Sequence, residues 1–329
     1  MSKTINLQEL SERLLRIDNV IIFTHENPDG DALGSVVALL TLFRNLGKKA
    51  DAYIPEKISE RYNGFICDGL YIKTTLPSFD YSYCISLDCS NKKRLAIYTP
   101  KEKEIFSLPI INIDHHFDNE LYGVENYINP KASATAEIIF DIIKNSPDWS
   151  VTPNVATAIT LGILTDTGGF RFDNTSSDVL IKAGELINMN ADYMCVIKSM
   201  YFTKHYNLYK LEADIAVNHL KLASNKKFAY IYLADELLNK YDLDKTDTEG
   251  LIDTFRIIDG VIISAIITKK NNGFKVSMRS NNTNYSVVEI AHKLNGGGHK
   301  LAAGCFIETD SIEKAEQILL SYVKDLLIE

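Results

Sequence analysis

The sequence predicts an α/β protein with a parallel-sheet domain flanked by helices, then a smaller mixed-sheet α/β domain, and a cleft between them. Three observations support this fold class. The first half alternates short apolar segments with helical patterns, which is typical of βαβ units and a parallel sheet covered on both faces. From Phe228 the pattern changes to strands joined by tight turns. The chain of 329 residues also exceeds one average domain.

In the first half, four apolar segments have the length and composition of buried strands: residues 20–23, 49–54, 83–87 and 110–113. Apolar residues spaced three and four apart predict a helix over residues 31–46. Further helices are predicted over residues 133–144 and 153–164, and from just after Ser177 to about Met189. Thr152 is the expected N-cap of the third helix, with Pro153 in its first turn. The first ten residues predict a capped amphipathic helix and lack the apolar segment of a signal peptide.

In the second half, strands are predicted at residues 228–233, 261–268, 274–280 and 304–308. Asn271-Asn272-Gly273 predicts a hairpin turn, and helices are expected at residues 247–257, 286–294 and 311–327. Residues 192–222 are helical in pattern but polar and rich in tyrosine. We therefore expect domains at residues 1–190 and 223–329, joined by a helical linker at residues 191–222.

Composition limits the partners. An apolar content of 46% and a charged content of 24% are those of a globular protein, and no apolar run is long enough to span a membrane. These features predict a cytoplasmic protein with no membrane contact. The net charge of −8 argues against a long nucleic acid as partner, so a nucleic-acid substrate should be short. The five cysteines are odd in number and lack C-x-x-C spacing, which argues against a disulfide framework and a thiolate zinc site.

Metal-capable side chains follow several of the predicted strands. Asp114-His115-His116 comes after residues 110–113, and Asp88 after residues 83–87. Because ligands bind beyond the carboxyl ends of parallel strands, these residues can converge. Each group alone has an ordinary explanation, such as a helix cap or a solvated loop. Together these groups favour a two-metal phosphoesterase. The six candidate metal ligands are His25, Asp29, Asp31, Asp88, His115 and Asp166, and Asp114 and His116 are not needed as ligands.

The motifs also resemble a known family. The order H-x-N-P-D-G-D-A-L-G-S from His25, an isolated Asp88, D-H-H from Asp114 and T-D-T-G-G-F from Thr165 is similar to the DHH phosphoesterases. G-G-G-H-K-L-A-A-G at residues 296–304 resembles the signature of the DHHA1 accessory domain. The match covers nearly the whole chain. Within the family, the chain resembles the short-oligoribonucleotide hydrolases (nanoRNases) that are also phosphatases of 3′-phosphoadenosine-5′-phosphate (pAp).

The resemblance implies a dinuclear site that usually holds two Mn²⁺ ions. One ion would bind His25 and Asp29, and the other would bind Asp31, His115 and Asp166. Asp88 would bridge both ions and is expected to be essential for catalysis. Asp114 would orient its neighbours by hydrogen bonds, and His116 would face the scissile phosphate as an electrostatic stabiliser or as the proton donor to the leaving oxygen.

The second domain is expected to select the substrate. In related proteins the positions of Arg279 and Ser280 hold the terminal 5′-phosphate of the nucleotide. The glycine run, including Gly297 and Gly298, would let the backbone approach a ligand and form an anion nest, with His299 contacting a phosphate or base. Arg171 is a further candidate phosphate contact. The resemblance also suggests homodimerisation through the first domain.

The predicted function is Mn²⁺-dependent hydrolysis of very short oligoribonucleotides to mononucleotides, as an exonuclease of RNA degradation, together with removal of the 3′-phosphate of pAp. A water activated by two metals would be the nucleophile. One alternative is hydrolysis of linear or cyclic dinucleotide messengers, pApA or c-di-AMP. A second is a nucleotide-binding sensory module that has lost catalysis, although no metal ligand is missing from the sequence. Pyrophosphatase and long-strand exonuclease activities fit the G-G-G-H run and the acidic charge less well.

Overall fold

The computed structural model describes residues 2–65, 72–76, 80–95, 104–248 and 250–328. The chain divides into two compact units, Met1–Thr203 and Lys204–Glu329, and this division falls within residues 191–222. Among the described residues, no helix combines the length and the apolar character that crossing a membrane requires.

The first unit is built on a sheet of seven parallel strands in the order β1-β7-β6-β5-β2-β3-β4. The strands are β1 Lys3–Thr4, β2 Val20–Phe23, β3 Ala50–Tyr53, β4 Ile72–Lys73, β5 Tyr83–Leu87, β6 Ile110–Asp114 and β7 Glu125–Ile128. From β2 the chain proceeds to one edge through β3 and β4, whereas β5, β6 and β7 lead toward the other edge. The order therefore reverses between β2 and β5, and such a switch point is where open α/β sheets bind ligands.

Helices cover this sheet. They are α1 Leu7–Arg16, α2 Gly30–Asn45, α3 Thr135–Lys144, α4 Pro153–Asp166, α5 Ser177–Asn188 and α6 Tyr193–Ile197, and α6 continues as a π-helix over Lys198–Phe202. Residues 30–43 of α2 are all buried, so α2 is the central helix of the unit. Thr152 caps α4 through a hydrogen bond from the Val155 N–H, as the sequence predicts.

Helices α2 and α4 approach closely because both carry glycine at their contact. A Cβ atom at Gly34 would lie 2.4 Å from the Ala158 carbonyl oxygen, and one at Gly162 would lie 2.7 Å from Asp31 Oδ1. Asp31 belongs to the first turn of α2, and Asp166 is the last residue of α4. The contact therefore fixes the distance between two of the predicted metal ligands.

Gly34→Ala should lower the free energy of unfolding of the first unit by about 1–3 kcal/mol, because the added methyl group meets backbone that cannot move aside. Gly184→Ala in α5 is the matched control, since nothing lies within 4 Å of a Cβ there. Alanine in that open helical position should be neutral or slightly stabilising. Chemical denaturation of both variants checks the prediction, and equal effects would contradict it.

The second unit contains a mixed sheet in the order β12-β13-β11-β10-β9-β8. Its strands are β8 Lys221–Ala223, β9 Phe228–Leu233, β10 Ile263–Lys270, β11 Gly273–Ser280, β12 Gly297–His299 and β13 Ala302–Ile307. Only β9 and β10 pair in parallel among the described strands of this sheet. Its helices are α7 Tyr206–Asp214, α8 Asp235–Lys240, α9 Asp253–Arg256, α10 Val287–Lys293 and α11 Ile312–Ile328, and α7 continues as a π-helix over Ile215–His219.

Two apolar cores lie on opposite faces of this second sheet. Val276 and Met278 of β11 face the core formed with α10 and α11. Ala229 and Ile231 of β9 face the other core, which includes residues of α7, α8 and α9. The intervening residues of β11 lie on the face opposite α10 and α11, because side chains alternate along a strand.

The predicted fold class is confirmed, with a parallel first sheet and a mixed second sheet. Three strands of the first sheet were not predicted. The strands β1 and β4 have two residues each and are too short for a pattern. The strand β7 contains Asn126, which is buried but donates hydrogen bonds to the Gly123 carbonyl and to Ser2 Oγ. A buried polar side chain with these partners does not give an apolar signal.

Two helix predictions were wrong in part. The first ten residues do not form one helix, because β1 precedes Asn6, which caps α1 with a capping box to Glu9. The helix predicted at residues 247–257 is replaced by a 3₁₀ turn at Lys245–Thr248 and by the short α9. Gly250, with a φ of +78°, separates them, and residue 249 lies outside the described residues.

Among the described residues, Cys84, Cys89, Cys195 and Cys305 are free thiols. Cys67 lies outside the described residues.

Candidate active site

The carboxyl ends of three neighbouring strands and the end of α4 bring the predicted metal ligands together. The loops after β2, β5 and β6 meet at the switch point of the sheet. Ligand atoms lie within 4.8 Å of one another in two groups: His25, Asp29 and Asp88 in one, and Asp31, His115 and Asp166 in the other.

Asp88 lies between the two groups. Its Oδ2 is 3.6 Å from His25 Nε2, and its Oδ1 is 3.6 Å from His115 Nε2. The residue has a φ of +55°, and its N–H donates to the Ile113 carbonyl of β6. Residues other than glycine seldom adopt this left-handed backbone conformation, and the hydrogen bond to β6 holds Asp88 in it. One carboxylate thus offers one oxygen to each group.

The first group is ordered by hydrogen bonds within its own loop. His25 Nδ1 is 2.7 Å from the Glu26 carbonyl oxygen, so Nδ1 donates and Nε2 faces the carboxylates. His25 Nε2 lies 3.9 Å from Asp29 Oδ1. Asp29 also caps α2 by accepting the N–H groups of Asp31 and Ala32. The cap therefore fixes the position from which Asp29 reaches the site.

The second group centres on His115. Its Nε2 lies 3.4 Å from Asp166 Oδ2 and 3.9 Å from Asp31 Oδ2. Asp31 also accepts the N–H of Thr135 at 2.6 Å and that of Ala136 at 2.9 Å, where α3 begins. The positive end of this helix stabilises a negative charge at Asp31.

The carboxylates give the site an excess of negative charge that favours the binding of cations. Burial, together with the charges of Asp88 and Asp166, raises the pKa of Asp31 well above its usual value. Burial alone would also raise the pKa of Asp88, but the close approach of His25 and the charges of His116 and His115 hold it far below its usual value. Several carboxylates concentrated in a buried space repel one another, and a bound cation would offset that repulsion.

The residues fit a pair of divalent cations. Imidazole nitrogens mixed with carboxylate oxygens suit a cation such as Mn²⁺, Zn²⁺ or Fe²⁺ better than the all-oxygen surroundings that Mg²⁺ prefers. Ligand atoms bound at about 2.1 Å would lie roughly 3 Å apart at right angles, so the separations of 3.4–3.9 Å need only a small contraction. When bound, two such cations lower the pKa of water and withdraw charge from a phosphoryl group.

Asp114 is buried and organises the D-H-H turn. Its Oδ1 accepts from the N–H groups of His115 and His116 and lies 2.7 Å from His116 Nδ1. Burial lowers the pKa of His116, but the charge and hydrogen bond of Asp114 outweigh it, and the net shift is upward. With Nδ1 facing Asp114, Nε2 lies on the side of the ring away from that carboxylate.

In the second unit, Arg279 and His299 lie on one face of the sheet. Arg279 is opposite Ala302 across β11 and β13, and Ala302 is opposite His299 across β13 and β12. Directly opposed residues share a face, so the two basic side chains flank a small alanine at a Cα separation of about 10 Å. The row therefore has a small side chain, Ala302, between the larger basic side chains of Arg279 and His299.

Ser280 is not brought together with Arg279. Adjacent strand residues point to opposite faces, and Ser280 is fully buried. Its hydroxyl donates to the Asn282 carbonyl and accepts the Asn282 N–H.

The glycine run packs against β13. A Cβ atom at Gly296 would lie 2.1 Å from the Gly304 carbonyl oxygen, and one at Gly298, whose φ is +132°, would lie 2.5 Å from the Ala302 carbonyl oxygen. The Gly296 N–H donates to the Ala291 carbonyl, and Gly297 pairs with Gly304. Close approach to β13 therefore accounts for glycine at positions 296 and 298.

Arg171 lies beyond the end of α4. Its guanidinium is 5.2 Å from the centre of the Tyr201 ring, and its Nε donates to the Gly168 carbonyl. Arg171 is exposed, so its remaining donors face solvent. In the sequence it lies five residues after Asp166.

Sequence reasoning missed two polar residues of the site. Thr135 Oγ1 donates to Asp88 Oδ1 at 3.0 Å, and Asn119 Nδ2 donates to Asp114 Oδ2 at 2.6 Å. Thr135 follows its partner by 47 residues, so no local pattern marks it. Asn119 lies five residues after Asp114, and this proximity was the one available signal.

Comparison with known proteins places the chain in a family. A model described as the DHH family, N-terminal domain, matches residues 19–163, and a DHHA1 domain model matches residues 225–325. The chain belongs to the DHH–DHHA1 family of phosphoester hydrolases.

Several curated proteins are similar in sequence to most of this chain. The bifunctional oligoribonuclease and PAP phosphatase NrnA of Thermus thermophilus is 30% identical over 94% of this chain and 90% of its own length. The protein of the same name from Bacillus subtilis is 27% identical over 94% and 96%. The cyclic-di-AMP phosphodiesterase GdpP of Geobacillus thermodenitrificans is 25% identical over 96% of this chain but only 49% of its own length.

A solved structure has the same fold. The exopolyphosphatase-related protein from Bacteroides fragilis superposes with a TM-score of 0.84 at 24% identity, covering 98% of this chain and 97% of that one.

Proposed function

We propose that this protein is a divalent-cation-dependent phosphodiesterase and phosphatase. It hydrolyses very short oligoribonucleotides to mononucleotides and removes the 3′-phosphate of pAp. The observation that carries the proposal is the position of Asp88, which offers one carboxylate oxygen to each of two ligand groups. The substrate class is supported by the names of the Thermus and Bacillus relatives.

The protein's own residues would act as follows. His25 and Asp29 hold one cation, and Asp31, His115 and Asp166 hold the other, with Mn²⁺ as the proposed metal. Asp88 bridges them. Asp114 keeps His116 oriented through Nδ1, and His116 stabilises the phosphoryl group or protonates the leaving oxygen from Nε2.

Arg279 and His299 are proposed to hold the terminal 5′-phosphate, with the backbone at Gly297 and Gly298 beside it and Arg171 as an additional phosphate contact. The basic row across Ala302 supports this role for the two side chains. The burial of Ser280 favours a role in shaping the turn after β11 over direct contact with the phosphate.

Hydrolysis of pApA or c-di-AMP is a second candidate, supported by the similarity to the GdpP protein. Initial rates with Mn²⁺ should be measured on pAp, pApA, c-di-AMP and RNA from dinucleotides upward. Highest rates on di- to pentanucleotides, with pAp also cleaved, are expected. A sharp preference for pApA or c-di-AMP would replace the first proposal with the second, and binding without turnover would favour a sensory module.

Arg279→Ala should raise KM for 5′-phosphorylated dinucleotides by about 10- to 100-fold, since a charge-assisted hydrogen bond contributes about 1.5–3 kcal/mol. The same dinucleotide without the 5′-phosphate should be hydrolysed with unchanged KM. Lys275→Ala, an exposed cation on the same strand, is the control and should leave both values unchanged. A loss that is equal with and without the phosphate would refute the assignment.

The domain bounds 1–190, 191–222 and 223–329, a cytoplasmic location and a homodimer formed through the first domain remain part of the proposal. Limited proteolysis, cell fractionation and sedimentation velocity test them in turn.

A further inference from the structure

Asn119 connects two of the loops that build the metal centre. Its Nδ2 donates to Asp114 Oδ2 at 2.6 Å, in the turn after β6. The same nitrogen lies 3.3 Å from the carbonyl oxygen of Cys89, the residue after Asp88. Asn119 thus touches the support of His116 and the backbone next to the bridging carboxylate.

The orientation of the Asn119 amide is fixed by its other partners. Its Oδ1 accepts from the Leu121 N–H and from Asn112 Nδ2, each at 2.8 Å. A backbone N–H can only donate, so the oxygen must face Leu121 and the nitrogen must face the two acceptors. Every strong donor and acceptor of the side chain is then engaged, which leaves one rotamer.

Both loops need such a support. Asp114 Oδ1 is occupied by donors of the D-H-H turn, so Asn119 is the partner that restrains Oδ2. Asp88 has a φ of +55°, a conformation that relaxes unless its surroundings hold it. The Cys89 carbonyl accepts hydrogen bonds from Asn119 Nδ2 at 3.3 Å and from the Tyr122 hydroxyl at 2.9 Å.

We propose that Asn119 is a positioning residue of the metal centre. It holds the Asp88 carboxylate and the His116 imidazole in one fixed relation and contacts neither substrate nor cation. This inference rests on the proposed function, because it assigns Asp88 to the cations and His116 to the phosphate. Partners that orient metal ligands in this way typically contribute 10- to 100-fold to metal affinity or activity.

Asn119→Ala in the full-length protein should weaken Mn²⁺ binding, measured by titration calorimetry without substrate, by about 10- to 100-fold. At saturating Mn²⁺, kcat for pApA should fall while KM changes little, because no substrate contact is lost. Asn126→Ala is the matched control. Asn126 is fully buried whereas Asn119 is half-buried, so Asn126→Ala disturbs packing at least as much. The Asn126 amide donates to Gly123 and Ser2 and accepts from Asn112 at 3.3 Å, but it contacts neither Asp114 nor Cys89. That variant should lower Tm and leave Mn²⁺ affinity and kcat per folded molecule unchanged.

Asn119→Asp separates positioning from packing. It keeps the side-chain volume but places an oxygen where Nδ2 now meets Asp114 Oδ2, so its losses should equal or exceed those of alanine. Wild-type Mn²⁺ affinity and kcat in Asn119→Asp, or a lowered Tm alone in Asn119→Ala, would overturn the proposal. If the wild type hydrolysed no substrate, the proposed function would fail, but the Mn²⁺ titrations would still decide the role of Asn119.

Discussion

Asp88→Asn should lower kcat by about 10³-fold or more, which corresponds to about 4 kcal/mol of transition-state stabilisation, without unfolding the protein. A neutral amide can bind a cation through its oxygen but not through its NH₂ nitrogen. Asparagine can therefore offer a ligand atom to only one of the two groups that Asp88 now joins. Steady-state kinetics on pAp and a 5′-phosphorylated dinucleotide, with circular dichroism as a check on folding, measure the effect.

Asp148→Asn is the control for this prediction. Asp148 is an exposed aspartate in the loop before α4, so the same chemical change there should leave kcat unchanged. Full activity of Asp88→Asn would exclude the dinuclear mechanism.

Mn²⁺ should also stabilise the wild type against heat relative to a chelator, because binding to the folded state alone adds about 2.7 kcal/mol per site at a concentration of 100 Kd. Asp88→Asn should lose most of that stabilisation. A variant that keeps the full Mn²⁺-dependent rise in Tm but loses turnover would show that Asp88 acts on the substrate rather than on the cations.

The position of the site could be predicted from the sequence because a simple rule of parallel sheets applies. Apolar segments such as Val20–Phe23, and Tyr83–Leu87 with its single polar residue Ser86, mark buried strands without an alignment. The carboxyl ends of such strands lie at one edge, so His25 and Asp88 are expected to meet there, and they do.

What the sequence could not give depends on contacts between distant segments. Asp31 accepts hydrogen bonds from Thr135 and Ala136, more than a hundred residues away, and no local pattern encodes that the start of α3 supports this proposed metal ligand. The close packing of Gly34 against Ala158 is equally non-local. The position of Ser280, in contrast, follows from strand alternation alone, which puts its side chain on the other face of the sheet from that of Arg279. The sequence prediction nevertheless grouped the two residues, because it relied on the motif.

Lys182 carries the other large expected effect, and it lies outside the metal centre. Its Nζ is 2.7 Å from Glu137 Oε1, 2.8 Å from Asp141 Oδ1 and 2.8 Å from Asp178 Oδ2. Burial lowers the pKa of the ammonium, but hydrogen bonds with Asp141, Asp178 and Glu137 outweigh it and raise the pKa above its usual value. The side chains of Lys182 and Glu137 are only 13% and 5% exposed, and that of Asp141 is 22% exposed, whereas Asp178 is 66% exposed. The cluster is therefore buried at Glu137 and open to solvent at Asp178.

Lys182→Met should therefore lower the free energy of unfolding of the first unit by about 3–5 kcal/mol, because it leaves buried carboxylates without a compensating charge. Lys144→Met is the matched control. Lys144 also joins α3 to α5, through Glu185 at 2.7 Å, but it is 51% exposed, and such pairs contribute about 0–1 kcal/mol. Denaturant unfolding of both variants gives the comparison, and similar losses in the two would contradict the prediction.

The cluster should also affect the site, because Glu137 accepts from the N–H and hydroxyl of Ser133. These bonds hold the segment just before Thr135, whose N–H supports Asp31. Loss of Lys182 frees Glu137 to move toward solvent and loosens that segment. We expect Lys182→Met to weaken Mn²⁺ binding as well as stability, whereas Lys144→Met should change neither. Unchanged Mn²⁺ affinity in a folded Lys182→Met protein would separate the stability of α3 from the geometry of the site.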